Sequence, residues 1–180
     1  MDARALLETL LDGRDDLARE GLAKTPERFA RALTEMLGGY DVDLGSFAAT
    51  SFDAEGYDQV VVVSGIPFAS LCEHHVLPFT GIAHVGYLPG SRIIGLSKIP
   101  RLVRAVSRRL QVQERMTQQI ADALAAAVTP KGVAVIVEGT HSCMLLRGAE
   151  TPGRMVTSCM RGVFRDHAAA RAEVLRLFGC

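Results

Sequence analysis

An α+β fold is the expectation for this chain, and three observations carry it. Amphipathic helical patterns fill the first 40 residues, apolar strand-like runs begin at Gln59, and two long helical stretches follow one another between those runs. Strands and helices that alternated one by one would imply a parallel sheet. Grouping them in this way implies a mainly antiparallel one.

Ala3 to Leu11 reads as a short helix, closed by the polar run Asp12-Gly13-Arg14-Asp15-Asp16. The next helix takes Thr25 as N-cap and Pro26 as first helical residue, lines Phe29, Leu33, Met36 and Leu37 on one face, and stops at Gly38-Gly39. Arg28, in its first turn, reads from spacing alone as a solvated charge. Residues 40–56 read as loop, Gln59 to Val63 as a buried strand, and Gly81 to Leu88 as another, with His84 a structural histidine whose nitrogens find partners. Ser97 is a suitable N-cap for a helix that buries Ile99, Leu102, Val103 and Val106, and Pro100 falls in the first turn, where its missing N–H is harmless. Val112 to Val128 is the best-marked helix, with Val112, Met116, Ile120, Ala123, Leu124 and Ala127 at helical spacing and Thr129-Pro130-Lys131-Gly132 as its stop. Strands are expected at Val133 to Arg147, with a bulge at Gly139, and at Arg154 to Val163. Asp166 then caps a last helix that buries Ala170, Val174 and Leu177.

One domain is expected over 1–180, with a helical part at 1–40 and a core at 57–180; 180 residues that are 48% hydrophobic suffice for a single core. Twenty Lys and Arg balance twenty Asp and Glu, so no overall field recruits nucleic acid or a membrane surface, and any anion site must be local. No signal peptide or membrane span is expected, which implies a cytoplasmic protein with reduced cysteines. Cys159 and Cys180 read as spare structural thiols.

Chemistry concentrates in Ser70-Leu71-Cys72-Glu73-His74-His75-Val76-Leu77-Pro78-Phe79. Cys72 and His75 have a common metal-ligand spacing, and His141 and Cys143 form a second pair that only folding could bring near them. If 139–147 is extended, His141, Cys143, Leu145 and Arg147 share one strand face. Three sulfur and nitrogen ligands from two segments would leave a tetrahedral zinc one open position, the mark of a catalytic rather than a structural site. Such an ion activates water near neutral pH, and the histidines beside it can move protons. Lys98 and Arg101, at a helix N-terminus, suit a phosphate.

Four motifs in this order closely resemble those of GTP cyclohydrolase I: Ser70 to His75, Gly95-Leu96-Ser97-Lys98-Ile99, Gln111-Val112-Gln113-Glu114-Arg115, and His141-Ser142-Cys143 with Arg147. Thr25-Pro26-Glu27-Arg28 adds a fifth match upstream, and the likeness runs from about Thr25 to Phe178. The resemblance implies hydrolytic opening of the GTP imidazole ring at C8, release of that carbon as formate, and reclosure to 7,8-dihydroneopterin triphosphate. Cys72, His75 and Cys143 match the zinc ligands. His141 matches the residue that protonates N7, His74 the second catalytic histidine, and Ser97 a residue near the ribose. Glu114 matches the guanine anchor with Gln113 beside it, and Lys98, Arg101, Arg147 and Arg28 match the cations that hold the triphosphate. Separate cations suit a triphosphate on chemical grounds too, since a guanidinium grips phosphate through two N–H groups. The family also implies the tunnelling fold, in which an antiparallel sheet backed by two consecutive helices joins copies of itself into a barrel, and toroidal decamers with active sites shared between subunits. The short segment before Thr25 implies that the regulatory extensions of some animal members are missing.

Other readings are a nucleobase deaminase, a nucleotide-binding zinc module without turnover, and another tunnelling-fold enzyme acting on a pterin or deazapurine. The first needs His-x-Glu and Pro-Cys-x-x-Cys, and neither is present. Intact His74, His141 and Ser97 weigh against the second.

Overall fold

The computed structural model describes residues 2–179; Met1 and Cys180, the latter read above as a spare thiol, lie outside the described residues. Helices α1 (Ala3–Leu11) and α2 (Thr25–Leu37) come first, then 3-10 turns at Gly38–Asp41 and Leu44–Thr50 and a short strand β1 (Ser51–Asp53). Strands β2 (Val61–Cys72) and β3 (Pro78–Leu88) form a hairpin, and β4 (Arg92–Ile94) pairs back onto β1. Helix α3 (Lys98–Ser107), strand β5 (Leu110–Gln111) and helix α4 (Gln113–Val128) follow. Strand β6 (Gly132–His141), the one-turn helix α5 (Ser142–Leu145), strand β7 (Arg154–Gly162), α6 (Val163–Asp166) and α7 (Ala168–Phe178) complete the order.

The main sheet runs β5-β2-β3-β6-β7, antiparallel except where β5 lies parallel to Leu71 and Cys72. Because side chains alternate across a strand, the run Val133 to Val137 serves two cores. Val133, Val135 and Val137 join Ala83, Val85 and Tyr87 against Leu102 and Val106 of α3 and Ile120 and Leu124 of α4. On the other face Ala134 and Ile136 meet Phe164 of α6 and Val174 and Phe178 of α7. Each fully buried aliphatic or aromatic side chain contributes about 1.5–3 kcal/mol, so the two helix layers pin the central strands from both sides.

Several sequence expectations need correction. Thr25 is the first helical residue rather than the cap, and Lys24 at the cap position makes no side-chain hydrogen bond. Phe29, Leu33, Met36 and Leu37 do share the covered face of α2, but each is only half-buried. Strand β2 does not stop at Val63; two residues, Ser64 and Gly65, stand opposite His84, and the bulge keeps the strand paired as far as Cys72. Gly65 sits at φ +68°, where glycine costs least.

Gly139 is no bulge, since the β6 ladder runs unbroken through it, and its glycine answers a close approach instead. A Cβ there would lie 2.5 Å from Gln113 Oε1. Strand β6 ends at His141 rather than Arg147, so His141, Cys143, Leu145 and Arg147 do not share a strand face. Its neighbours give out there: Phe79 is the partner of His141, Pro78 beyond it has no N–H, and β7 pairs only up to Thr140. Ser97 occupies the cap position of α3 with helical backbone angles and makes no capping bond. His84 is buried, but its Nδ1 has no partner and its ring lies against Phe178, so it is not the satisfied histidine expected. Asp166 belongs to α6, while His167 precedes α7.

The last helix buries Phe178 rather than Leu177, which is 51% exposed. Phe178→Ala is therefore expected to cost about 3–5 kcal/mol in a urea titration and Leu177→Ala less than about 1 kcal/mol. Equal losses would contradict the packing of α7 on the second face of the sheet.

Candidate active site

The turn between β2 and β3 is built by three backbone bonds. Cys72 N–H donates to Leu77 O at 2.9 Å, and Val76 N–H and His75 N–H both donate to Cys72 O, at 2.8 and 3.4 Å. Closing so tight a reversal puts Val76 at φ +54°, a left-handed conformation that costs a β-branched residue on the order of 1–2 kcal/mol. That strain is held from the side by β5 and α4. Glu73 N–H donates to Gln111 O at 3.0 Å, and the Glu73 carboxylate accepts from the Arg115 guanidinium, which also donates to Gln111 Oε1 and Leu110 O. Arg115 holds the Glu73 carboxyl below the usual carboxylate range. Both side chains are partly exposed, so the pair adds little net stability and its work is geometric.

The second segment arrives through pairing with β3. Phe79 opposite His141 brings the end of β6 beside the turn, and α5 then carries Cys143 inward. Cys72 Sγ, a ring nitrogen of His75 and Cys143 Sγ all lie within 4.8 Å of one another, and Cys72 Sγ is 3.8 Å from His75 Nδ1. A tetrahedral zinc with bonds of about 2.3 Å to sulfur and 2.0–2.1 Å to nitrogen sets its ligand atoms about 3.3–3.8 Å apart, so the three groups need only a small contraction. Two thiols and one imidazole are soft donors of the kind such an ion takes. Among the described residues no fourth Cys, His, Asp or Glu joins the group, which leaves a tetrahedral ion one free position. Burial, and then the neighbouring Cys72 sulfur, push the Cys143 thiol above its ordinary range; a cation supplies the missing compensation for the thiolate.

The sequence left His141 and Cys143 both open as ligands, and the structure separates them. His141 Nε2 is 2.9 Å from Gln113 Oε1, and its ring stacks on Phe79 with centroids 4.4 Å apart and planes 6° from parallel. Burial lowers its pKa and the Glu114 carboxylate pulls it back, so Glu114 lies within electrostatic reach. His74 is exposed at the rim, its Nδ1 3.9 Å from Cys72 Sγ and its Nε2 3.9 Å from Glu73 Oε1. Arg147 is exposed just beyond α5, close enough for its charge to act on the Cys143 thiol.

Other residues singled out in the sequence lie elsewhere. Ser97, Lys98 and Arg101 open α3, whose far end leads into β5 beside Cys72. Leu96 and Ile99 line a cavity with Val61 and Tyr87, at the opposite end of β2 from Cys72. Ten residues of helix span about 15 Å, so within one chain the cationic helix start and the thiols are well apart. Arg28 is exposed on α2 and makes no side-chain hydrogen bond or ion pair among the described residues. Cys159 is a buried free thiol on β7, raised in pKa by that burial.

Sequence reasoning missed the Glu73–Arg115 clamp, the Phe79 stack and the partners of Gln113. A signal existed for the clamp, because a cation in the first turn of α4 opposes the helix dipole and calls for a tertiary partner. Glu73→Gln is expected to weaken zinc binding about 10–100-fold, read by competition with a chromophoric chelator, while the unfolding free energy changes by less than about 1 kcal/mol. Unchanged metal affinity would remove the clamp from the account.

Comparison with known proteins identifies the family and the fold. The sequence signature of the family described as GTP cyclohydrolase I matches residues 2–179. A protein named GTP cyclohydrolase 1 from Rhodopirellula baltica is 49% identical over 174 residues, covering 96% of this chain and 76% of its own. Another of that name from Mycolicibacterium paratuberculosis is 51% identical over 176 residues, covering 96% and 86%. A solved structure, the archaeosine synthase QueF-Like in the apo form, aligns with a TM-score of 0.51 at 16% identity over 59% of this chain and 96% of that one. What this last protein shares is the tunnelling fold, an antiparallel sheet backed by two consecutive helices. With signature and relatives spanning nearly its whole length, the chain belongs to the GTP cyclohydrolase I family.

Proposed function

We propose that this protein is a zinc-dependent GTP cyclohydrolase I that opens the imidazole ring of GTP at C8, releases that carbon as formate and recloses the skeleton to 7,8-dihydroneopterin triphosphate, the entry to folate and pterin synthesis. The observation that carries it is the Cys72, His75 and Cys143 cluster, three soft donors with one tetrahedral position left over, flanked by His74 and His141. When bound there, zinc supplies the Lewis acidity that makes a nucleophilic hydroxide available near neutral pH.

The chain's own residues do the rest. His141, held beside the cluster, gives a proton to the purine at N7 and makes C8 more electrophilic. His74, free at the rim, serves the hydrolytic and later rearrangement steps, and Ser97 meets the ribose. Glu114, exposed near His141, accepts from the N1 and exocyclic amino protons of guanine, while Gln113, next to it in the chain, supports the site from behind His141. Lys98, Arg101, Arg147 and Arg28 hold the triphosphate; each is at least partly exposed and lacks a competing side-chain partner among the described residues.

The same placement supports assembly. The start of α3 lies about a helix length from the β5 pairing with Cys72, which suits cations of α3 that serve the cluster of a neighbouring subunit. Our reading is a homo-oligomer with sites shared between subunits, a decamer. No helix among the described residues is long and apolar enough to cross a membrane, and we place the enzyme in the cytoplasm without a nucleic-acid or membrane partner.

Incubating the zinc-loaded protein with GTP should yield formate and dihydroneopterin triphosphate by mass spectrometry, and a chelator should stop both; GTP recovered intact from folded, metal-replete protein would shift the reading to a binding module or another substrate. Cys143→Ala should lose both metal and turnover. His141→Ala should keep zinc and lose on the order of 10²-fold or more in kcat. Loss of metal from folded His141→Ala would overturn the division between ligands and proton carriers. Glu114→Gln should erode discrimination between GTP and ATP, and unchanged discrimination would end its role as guanine anchor.

A further inference from the structure

Gln113 was expected to lie beside the guanine anchor, yet its side chain is turned away from any open site. It is 1% exposed, and its amide is fully engaged. Nε2 has three acceptors, Val137 O at 2.9 Å, Met155 O at 3.1 Å and Thr157 Oγ1 at 3.1 Å. Two of these are carbonyls, which only accept, so the NH₂ end of the amide must face them and the Oε1 end must face His141.

The hydroxyls confirm the direction. Thr117 Oγ1 is 2.7 Å from Gln113 O and also 2.7 Å from Thr157 Oγ1. Since Gln113 O can only accept, Thr117 donates to it and takes its own hydrogen bond from Thr157. Thr157 Oγ1 is then free to accept from the Gln113 amide, and every proton in the chain points one way. Oε1 can only accept, so the 2.9 Å contact with His141 requires a hydrogen on His141 Nε2. Nδ1 of His141 makes no hydrogen bond among the described residues and is not among their sealed, unpartnered atoms. Gly139 completes the cage, because any Cβ there would press on Oε1 at 2.5 Å.

We infer that Gln113 is a positioning residue that fixes the resting His141 ring as its Nε2–H tautomer and leaves Nδ1 as the nitrogen that takes up a proton from solvent and hands it to the substrate at N7. The tautomer half stands on geometry alone; the substrate half rests on the function proposed above. Phe79 stacks on the ring and removes its remaining freedom to rotate.

The test is solid-state ¹⁵N NMR of zinc-loaded protein labelled at histidine, with the His141 signals identified by their disappearance in His141→Ala. Wild type should show a protonated Nε2 and an unprotonated Nδ1. Gln113→Met should mix the tautomers, and kcat should fall on the order of 10²-fold or more with KM near wild type. Gly139→Ala, which leaves Gln113 in place but crowds its oxygen, should reproduce both changes and covers the case in which Gln113→Met does not fold. A resting wild-type ring protonated on Nδ1 with a bare Nε2, or a tautomer unmoved in both variants, would overturn the positioning role. If the tautomer shifts but kcat holds, Nδ1 is not the nitrogen that works on substrate. If the tautomer responds as expected while wild type leaves GTP intact, the failure belongs to the proposed reaction and the role of Gln113 stands.

Discussion

Strand β3 is hydrogen-bonded along both of its edges, and its first two residues decide where the metal-binding groups meet. Pro78 stands opposite Leu71 on β2, and Phe79 stands opposite His141 on β6. Cys72 therefore follows directly on one side and Cys143 lies two residues beyond on the other. A register slip of one residue would send each strand's side chains to the opposite face and part the two thiols. Core packing forbids that slip, because Ala83, Val85 and Tyr87 fill one face and His84 and Gly86 the other, both sealed by helices. The apolar core thus supplies positional precision to polar groups that could not hold themselves together.

From that constraint the site divides into a sealed side and an open one. Gln113, Thr117 and Thr157 are knit into the sheet behind His141, with every donor direction set by a backbone carbonyl. In front, His74, His75 and Glu114 are exposed and have room to move. Glu73 and Arg115 bridge the two sides, tying a strained turn to the first turn of α4. Buried support behind exposed groups suits a site that must bind an ion firmly and still exchange water and substrate.

Much of this was legible in the sequence. Apolar periodicity located α3, α4 and the central strands, since burial at fixed spacing is a local signal. The Cys72 and His75 spacing, with the distant pair His141 and Cys143, pointed to a group of sulfur and nitrogen donors from two segments, and the fold gathers Cys72, His75 and Cys143. What stayed hidden depends on distant partners. The end of β6 at His141 is set by Pro78 and β7 running out, a fact of neighbouring strands that its own residues do not encode. Gly139 looked like a bulge because a lone glycine in a valine run often is one, and only the approach of Gln113 from α4 reveals its use. Likewise Leu177 and Phe178 both suit an apolar stripe, and the position of α7 on the sheet chooses between them. His84 shows the limit most plainly: its burial was expected, but its unpartnered nitrogen was not.

In the proposed enzyme, two thiols and a single imidazole hold one metal ion with a position to spare. Zinc K-edge X-ray absorption on the metal-loaded protein tests it directly. Two sulfur scatterers at about 2.3 Å, one imidazole and one further light atom at about 2.0–2.1 Å are the expected result. A second imidazole in the first shell would mean that His74 or His141 closes the site, and a third sulfur would mean that the ion is structural; either would contradict an open catalytic centre.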